Sequence, residues 1–157
     1  MAALTIEIVG ADKLAGGLSK AAGSVLPAQT KLAMETSLLL VEGDARRGVK
    51  RDTGRLQNSI THSVTGGGAN LTGKVGPSVK YGIYVERGRA PGRPPPVSAV
   101  AAWARRHGVS PFLVARAIGR KGVRPAPFLL PAYEKNKGRI TDLFAKIGAK
   151  VVEAARG

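Results

Sequence analysis

Cysteine is absent from this chain of 157 residues, and aromatic, acidic and histidine residues are scarce. Without cysteine there can be no disulfide, no thiolate nucleophile and no zinc site that uses sulfur ligands. His62 and His107 are the only histidines, too few for a histidine-rich metal site. Aromatic residues make up 4% of the chain, so Leu, Ile, Val and Ala must build the core. Because Ala buries little surface, we expect a thin core that depends partly on neighbouring subunits.

Long apolar segments are also missing. A run of large apolar residues such as 38–41 is far too short to span a bilayer. The N-terminus lacks a charged segment followed by an apolar one, so no signal peptide is predicted. We therefore expect assembly in the cytoplasm of the producing cell and no membrane partner.

The few acidic residues offer little for catalysis. Paired carboxylates would have to come from Glu42, Asp44 and Glu86, and the first two do not share a helix face. No nucleophile-elbow or phosphate-loop motif is present, and Gly66–Gly68 joins two strands rather than opening a helix. His62 in a strand and His107 at a helix end are interpreted as structural. The sequence predicts no enzyme, no metal and no cofactor.

The first half of the chain predicts one strand, two helices and then two further strands. Alternation over 4–9 predicts a strand, and Asp12 predicts the start of a short helix reaching Leu18. A long helix over 27–50 follows, with Pro27 in its first turn. Its apolar face comprises Met34, Leu38, Val41, Ala45 and Val49. Alternation over 60–65 and 71–75 predicts an antiparallel hairpin.

The second half predicts helices. One helical turn or edge element is expected over 81–86, then a proline-rich linker over 88–96. Short helices are expected over 97–107 and 111–121, and the spacing of Trp103 and Phe112 favours packing between them. A last long helix over 129–155 has an apolar stripe. The stripe comprises Tyr133, Ile140, Leu143, Phe144, Ile147 and Val151.

These elements predict an α+β fold, in which two long helices pack on a small antiparallel sheet and a basic two-helix insertion interrupts the chain. The predicted organisation is an N-terminal strand and short helix over 1–26, then one α+β domain over 27–157 with its insertion at 89–124.

Positive charge is concentrated in the insertion. The net charge of the chain is +15, and residues 87–133 hold nine basic residues and no acid. Such a surface can bind phosphates by counterion release or an acidic protein surface, and charge alone does not separate the two. Trp103 and Phe112 are too few for a sequence-specific reader of bases. The predicted partner-facing or DNA-facing residues are Arg89, Arg93, Arg105, Arg106, Arg116, Arg120, Lys121 and Arg124.

Three segments in order resemble a known family. They read DTGRLQNSI from Asp52, YGIYVERG from Tyr81, and PAPFLLPA from Pro125. This order is similar to that of the small neck, or minor tail-component, proteins of long-tailed bacteriophages, also called head–tail connectors. The resemblance spans about residues 28–138. Its motif residues are Thr53, Gly54, Leu56, Ile60, Tyr81, Tyr84, Val85, Glu86, Gly88, Pro127, Phe128, Leu129 and Pro131.

The residue types in these motifs also predict structural roles. Gly54 can take a positive φ where the long helix ends. Tyr81, Tyr84 and Val85 are expected to pack under the sheet, and Phe128 to hold the last helix on the core. The segment 89–124 departs from the shorter pattern of the family, so the specialised contact is expected there.

The resemblance implies a structural subunit of the head–tail junction, located in the virion. The implied partners are further copies in a ring, six- or twelve-fold by analogy, with neighbouring head-closure and tail proteins. Genomic DNA in the channel is a further candidate partner. A tail terminator, or a non-specific DNA-binding protein, remains an alternative.

Overall fold

The computed structural model describes residues 4–8, 20–67 and 70–156, arranged as three strands and six helices. The strands are β1 (Leu4–Ile8), β2 (Ile60–Gly67) and β3 (Asn70–Pro77). The helices are α1 (Lys20–Gly48), α2 (Arg55–Asn58), α3 (Gly82–Arg87), α4 (Val97–Arg106), α5 (Pro111–Lys121) and α6 (Leu129–Arg156). The chain divides into a sheet unit, Met1–Lys80 with Phe128–Gly157, and a helical unit, Tyr81–Pro127. The α+β fold is confirmed.

The sheet has the order β1-β3-β2, with both pairs antiparallel. The predicted hairpin is confirmed, and Ile60 pairs with Pro77 at its open end. The N-terminal strand adds to the other edge of β3, where Leu4 pairs with Val75. Alternate residues of β3 are buried, which gives the sheet one face toward the core.

The long helix α1 forms the centre of the sheet unit. All five residues of its predicted apolar face are buried, and four of them are fully inaccessible. The predicted start was wrong, because α1 begins at Lys20 and Pro27 lies inside it. Proline removes one backbone hydrogen bond without always ending a helix, and Ala21, Ala22 and Leu26 before it favour helix.

The last helix, α6, packs on α1 through a face shifted from the predicted stripe. Its buried residues are Leu129, Ala132, Asn136 and Ile140, spaced by three or four positions. Tyr133, Leu143, Phe144 and Ile147 are only half-buried, and the Val151 side chain lies outside the described part. The prediction followed the large apolar residues, whereas a small and a polar residue complete the true contact.

Two glycines allow the tight geometry of the sheet unit. Gly54 has a φ of 78° and turns the chain between α1 and α2, as predicted. Gly73 of β3 lies directly against α1: a Cβ atom there would be 2.5 Å from Met34 Sδ and 2.9 Å from Leu38 Cδ1. The missing side chain therefore lets α1 approach the sheet closely.

Some predictions lie outside the described residues, namely the short helix from Asp12 to Leu18 and the turn residue Gly68. Among the described helices, none combines the length and apolarity needed to cross a membrane.

Candidate interaction surface of the helical unit

Glu42 is one of the acids considered above as possible catalytic residues. In the structure it forms ion pairs within the sheet unit. Its Oε2 lies 2.5 Å from His62 Nδ1, and its Oε1 lies 2.7 Å from a guanidinium nitrogen of Arg46. Arg46 also donates to the carbonyl oxygen of Ile60, at 2.7 Å from NH2. The three side chains therefore join α1 to β2, which is the structural role predicted for His62.

Asp44 joins α1 to α6. Its carboxylate accepts hydrogen bonds from Asn136 Nδ2 at 2.6 Å, Arg47 NH2 at 2.7 Å and Lys135 Nζ at 3.0 Å. The bond from Asn136, followed by those from Arg47 and Lys135, holds the pKa of the Asp44 carboxyl well below its ordinary value. Within residues 4–8, 20–67 and 70–156, no group of three or more acids, histidines or cysteines is arranged to hold a metal ion.

The helical unit is closed by backbone hydrogen bonds between its two ends. Arg89 and Val123 exchange bonds of 2.9 and 2.8 Å, and the Ala126 amide donates to Val85 at 2.8 Å. Farther in, the Gly92 amide donates to Gly119 at 2.8 Å. These bonds fix the proline-rich linker against the end of α5, so the linker is an ordered part of the unit.

Helices α4 and α5 have the predicted positions but contact each other through small residues. Ala104 and Ala115 are buried, whereas Trp103 is 44% and Phe112 62% exposed. The prediction that Trp103 and Phe112 pack the two helices together was wrong. Closely spaced helices exclude large side chains from their contact, and these two therefore point outward. Trp103 stacks on His107 instead, with ring centroids 4.1 Å apart.

Large apolar and basic side chains are exposed together around the connection between α4 and α5. We call this region the hairpin tip. It comprises Trp103, Arg105, Arg106, Val109, Phe112, Leu113 and Arg116, all of them exposed. On α5, Arg116 follows Phe112 by four residues and Leu113 by three, so it lies beside both on the helix surface. The tip is thus a mixed apolar and cationic surface.

The predicted basic residues all belong to the helical unit, and all but Arg89 are exposed. Arg89 is half-buried, donates to the Arg93 carbonyl oxygen and lies over the Tyr84 ring, 5.9 Å from its centroid. Arg106 donates to the Ala102 carbonyl oxygen at 3.0 Å. Arg120 and Lys121 lie at the far end of α5 and Arg124 just beyond it, away from the tip along the chain.

The motif residues divide between core and surface. Gly54, Leu56, Ile60, Phe128 and Leu129 are buried in the sheet unit, while Thr53, Pro127 and Pro131 are exposed. Phe128 lies in contact range of Gly48, as expected for a residue that holds α6 on α1.

The tyrosine motif was interpreted incorrectly. Tyr81 and Tyr84 are 42% and 49% exposed, so they do not provide buried bulk under the sheet. Val85 and Glu86 are half-buried. Gly88 has a φ of 71°, and a Cβ there would lie 2.6 Å from the Val123 carbonyl oxygen. The motif therefore shapes the start of the helical unit.

Three features were not predicted from the sequence. They are the contact between Asn136 and Asp44, the close approach of α1 to Gly73, and the exposure of Phe112 and Leu113. For α5 a signal was available, because Ala115 and Gly119 are small residues four apart and mark a closely packed face of the helix. For Asn136 no local signal exists, since its partner Asp44 is distant in the chain.

Exposed apolar side chains beside cationic ones are typical of surfaces that bind other macromolecules. Residues 12–88 match the model of a family described as "Bacteriophage HK97-gp10, putative tail-component". Over this span the chain is similar to that family, which confirms the resemblance based on the first two motifs; the third motif lies beyond it. No curated protein and no solved structure gave a match. A phage tail component belongs to the virion and contacts other phage structural proteins.

Proposed function

We propose that the protein is a structural ring subunit of the head–tail junction of a long-tailed bacteriophage. The family match over residues 12–88 is the observation that supports this proposal most directly. Its action is assembly rather than catalysis, through interfaces repeated around the DNA channel.

The distribution of apolar surface supports an assembly role. The sheet unit exposes Leu32 and Leu39, seven residues apart on α1, and the helical unit exposes the apolar residues of the hairpin tip. Large exposed apolar side chains in more than one region are expected for a protein that is buried between neighbours in its working state. The basic residues of the helical unit supply electrostatic contacts in addition to the apolar ones.

The location is tested by labelling. In a phage that carries a tagged copy of the chain, gold-conjugated antibody should mark the junction between head and tail in electron micrographs. Label at the distal tail tip, or only on unassembled protein, would contradict the proposal. A tail terminator makes a different prediction, because label would then be present at one end of free tails that lack heads.

Assembly is tested with the purified full chain. Rings of six or twelve copies should appear by mass photometry and should persist at high salt, since apolar contacts are not screened. Replacing Arg105, Arg106, Arg120 and Lys121 by Glu should leave rings intact and abolish joining of heads to tails. Normal particle yield with this variant would show that the basic surface has no role in joining.

A further inference from the structure

The hairpin tip combines two kinds of binding chemistry within a short stretch of surface. Phe112 and Leu113 are 62% and 59% exposed, and Arg116 lies one turn farther along the same helix. On α4, Trp103 is exposed and Arg106 follows three residues later. A partner that buries these side chains must therefore offer both negative charge and apolar surface. Otherwise burial of the unmatched side chains would cost binding free energy.

Duplex DNA satisfies only half of this requirement. Its backbone presents phosphates, which attract arginine but gain nothing from Leu113, Val109 or Phe112. Stacking on unpaired bases would need free aromatic faces, and one face of Trp103 is covered by His107 at a centroid distance of 4.1 Å. The apolar half of the tip therefore has no counterpart on the phosphate backbone of duplex DNA.

The basic residues of the helical unit are also those that protein interfaces favour. The unit contains eight arginines and a single lysine, Lys121, whereas the rest of the chain has more lysine than arginine. Arginine and aromatic residues are enriched in protein–protein interfaces, and lysine is depleted. Non-specific phosphate contacts, by contrast, use either cation.

Within the described part of the chain, a second copy offers mainly acids that lie beside cations. The exposed acids of α6 share that helix with several lysines; the acids are Glu134, Asp142 and Glu153, and the lysines are Lys135, Lys137, Lys146 and Lys150. Glu42 and Asp44 are occupied by Arg46, His62, Asn136 and neighbouring cations within the sheet unit. Glu35 lies 4.0 Å from Lys31, and the chain as a whole carries a net charge of +15. Charge complementarity thus favours a different protein over a second copy.

We propose that the hairpin tip binds an acidic protein surface with exposed apolar side chains. This inference deepens the proposed function, on which it rests, by stating the chemistry of the neighbour that the helical unit contacts in the virion. The apolar side chains supply the desolvated centre of the contact, and the surrounding arginines supply charge pairing and orientation.

The test uses three fluorescent probes with the purified full chain: an amphipathic helical peptide of Leu and Glu, polyglutamate, and a short duplex DNA. Anisotropy should show tightest binding to the amphipathic peptide. Raising the salt should weaken that complex less than the DNA complex, because counterion release dominates the latter. Tighter binding to DNA than to the peptide, or no binding to the peptide, would overturn the proposal.

Paired substitutions separate the apolar from the cationic contribution. The double variant Phe112→Ser with Leu113→Ser should weaken peptide binding at least about tenfold and leave DNA binding unchanged. The matched control, Leu32→Ser with Leu39→Ser, removes two equally exposed leucines from the sheet unit and should bind the peptide normally. Equal effects of both variants, or none, would contradict a specific role of the tip.

Two further measurements keep the outcomes distinct. Far-UV circular dichroism should show that the serine variant remains folded, since both of its side chains are exposed. A chain that labels the neck but fails to bind the peptide would overturn this inference and leave the proposed function intact. If the chain binds the peptide but is absent from the neck, the proposed function is overturned and the binding chemistry of the tip stands.

Discussion

Asn136 Nδ2 donates a hydrogen bond of 2.6 Å to Asp44 Oδ2, joining the two long helices across 92 positions of the chain. The same amide nitrogen lies 2.8 Å from the Ala132 carbonyl oxygen of its own helix, which holds the side chain toward α1. Asn136 is almost completely buried between apolar neighbours of α6. A buried amide that satisfies a carboxylate specifies the register of two helices more narrowly than apolar contact does.

Replacing Asn136 with Ala should lower the free energy of unfolding by about 1–3 kcal/mol, because the buried amide loses its hydrogen bond to Asp44 and leaves a small cavity between the helices. Chemical denaturation of the full chain measures the change. Lys135→Ala is the matched control: it removes another donor to Asp44, but from a side chain that is 69% exposed. Exposed pairs contribute little, so the control should change stability much less. Equal losses would contradict the role given to the buried amide.

Acidification should weaken the contact between α1 and α6 that Asp44 makes. The folded-state pKa of Asp44 lies below its unfolded value, so its contribution is complete above the ordinary carboxyl pKa of about 3.9 and is lost as the pH falls below that value. The stability difference between the native chain and Asp44→Asn should therefore be largest near neutral pH. It should shrink progressively as the pH falls below about 4. Denaturation curves at several pH values measure this difference, and a constant difference would contradict the assignment.

The fold could largely be predicted from periodicity. The face of α1 from Met34 to Val49 and the hairpin strands β2 and β3 follow simple repeats, because each buries one apolar side. The face of α6 could not be predicted in the same way, since Asn136 is polar and Ala132 small. Contacts that depend on a partner distant in sequence leave no local pattern.

The candidate surface was predicted in its charge but not in its apolar part. Arginine clustering is visible in composition, whereas the outward direction of Trp103 and Phe112 depends on Ala104 and Ala115 being the buried residues of α4 and α5. Sequence favours burial of aromatic residues on average, and a close helix pair reverses that preference. The tip therefore became apparent only once the packing was known.

Gly73 should tolerate no branched side chain. Gly73→Val would place its Cβ 2.5 Å from Met34 Sδ and 2.9 Å from Leu38 Cδ1, both in the buried core. We expect a loss of about 1–3 kcal/mol or more in unfolding free energy, and a smaller loss for Gly73→Ala because both contacted atoms end flexible side chains. Gly67→Val is the control, since nothing lies within 4 Å of a Cβ at that strand position. Thermal unfolding should show a midpoint that is lowered most for Gly73→Val, less for Gly73→Ala and not for Gly67→Val.

Replacing Gly119 with Ala should disrupt the packing around it, whereas replacing Gly138 with Ala should stabilise its helix. Both glycines lie inside helices. A Cβ at Gly119 would meet Pro94 Cγ at 2.8 Å and the Gly92 carbonyl oxygen at 3.1 Å, so Gly119→Ala should push the linker off α5. Limited proteolysis should then cut the linker at least several-fold faster, because its bond from Gly92 to Gly119 is lost. Gly138→Ala meets nothing within 4 Å and should raise the stability of α6 by about 1 kcal/mol. If Gly119→Ala left the rate of linker cleavage unchanged, the linker would not be held by α5, and the hairpin tip would not rest on a fixed support.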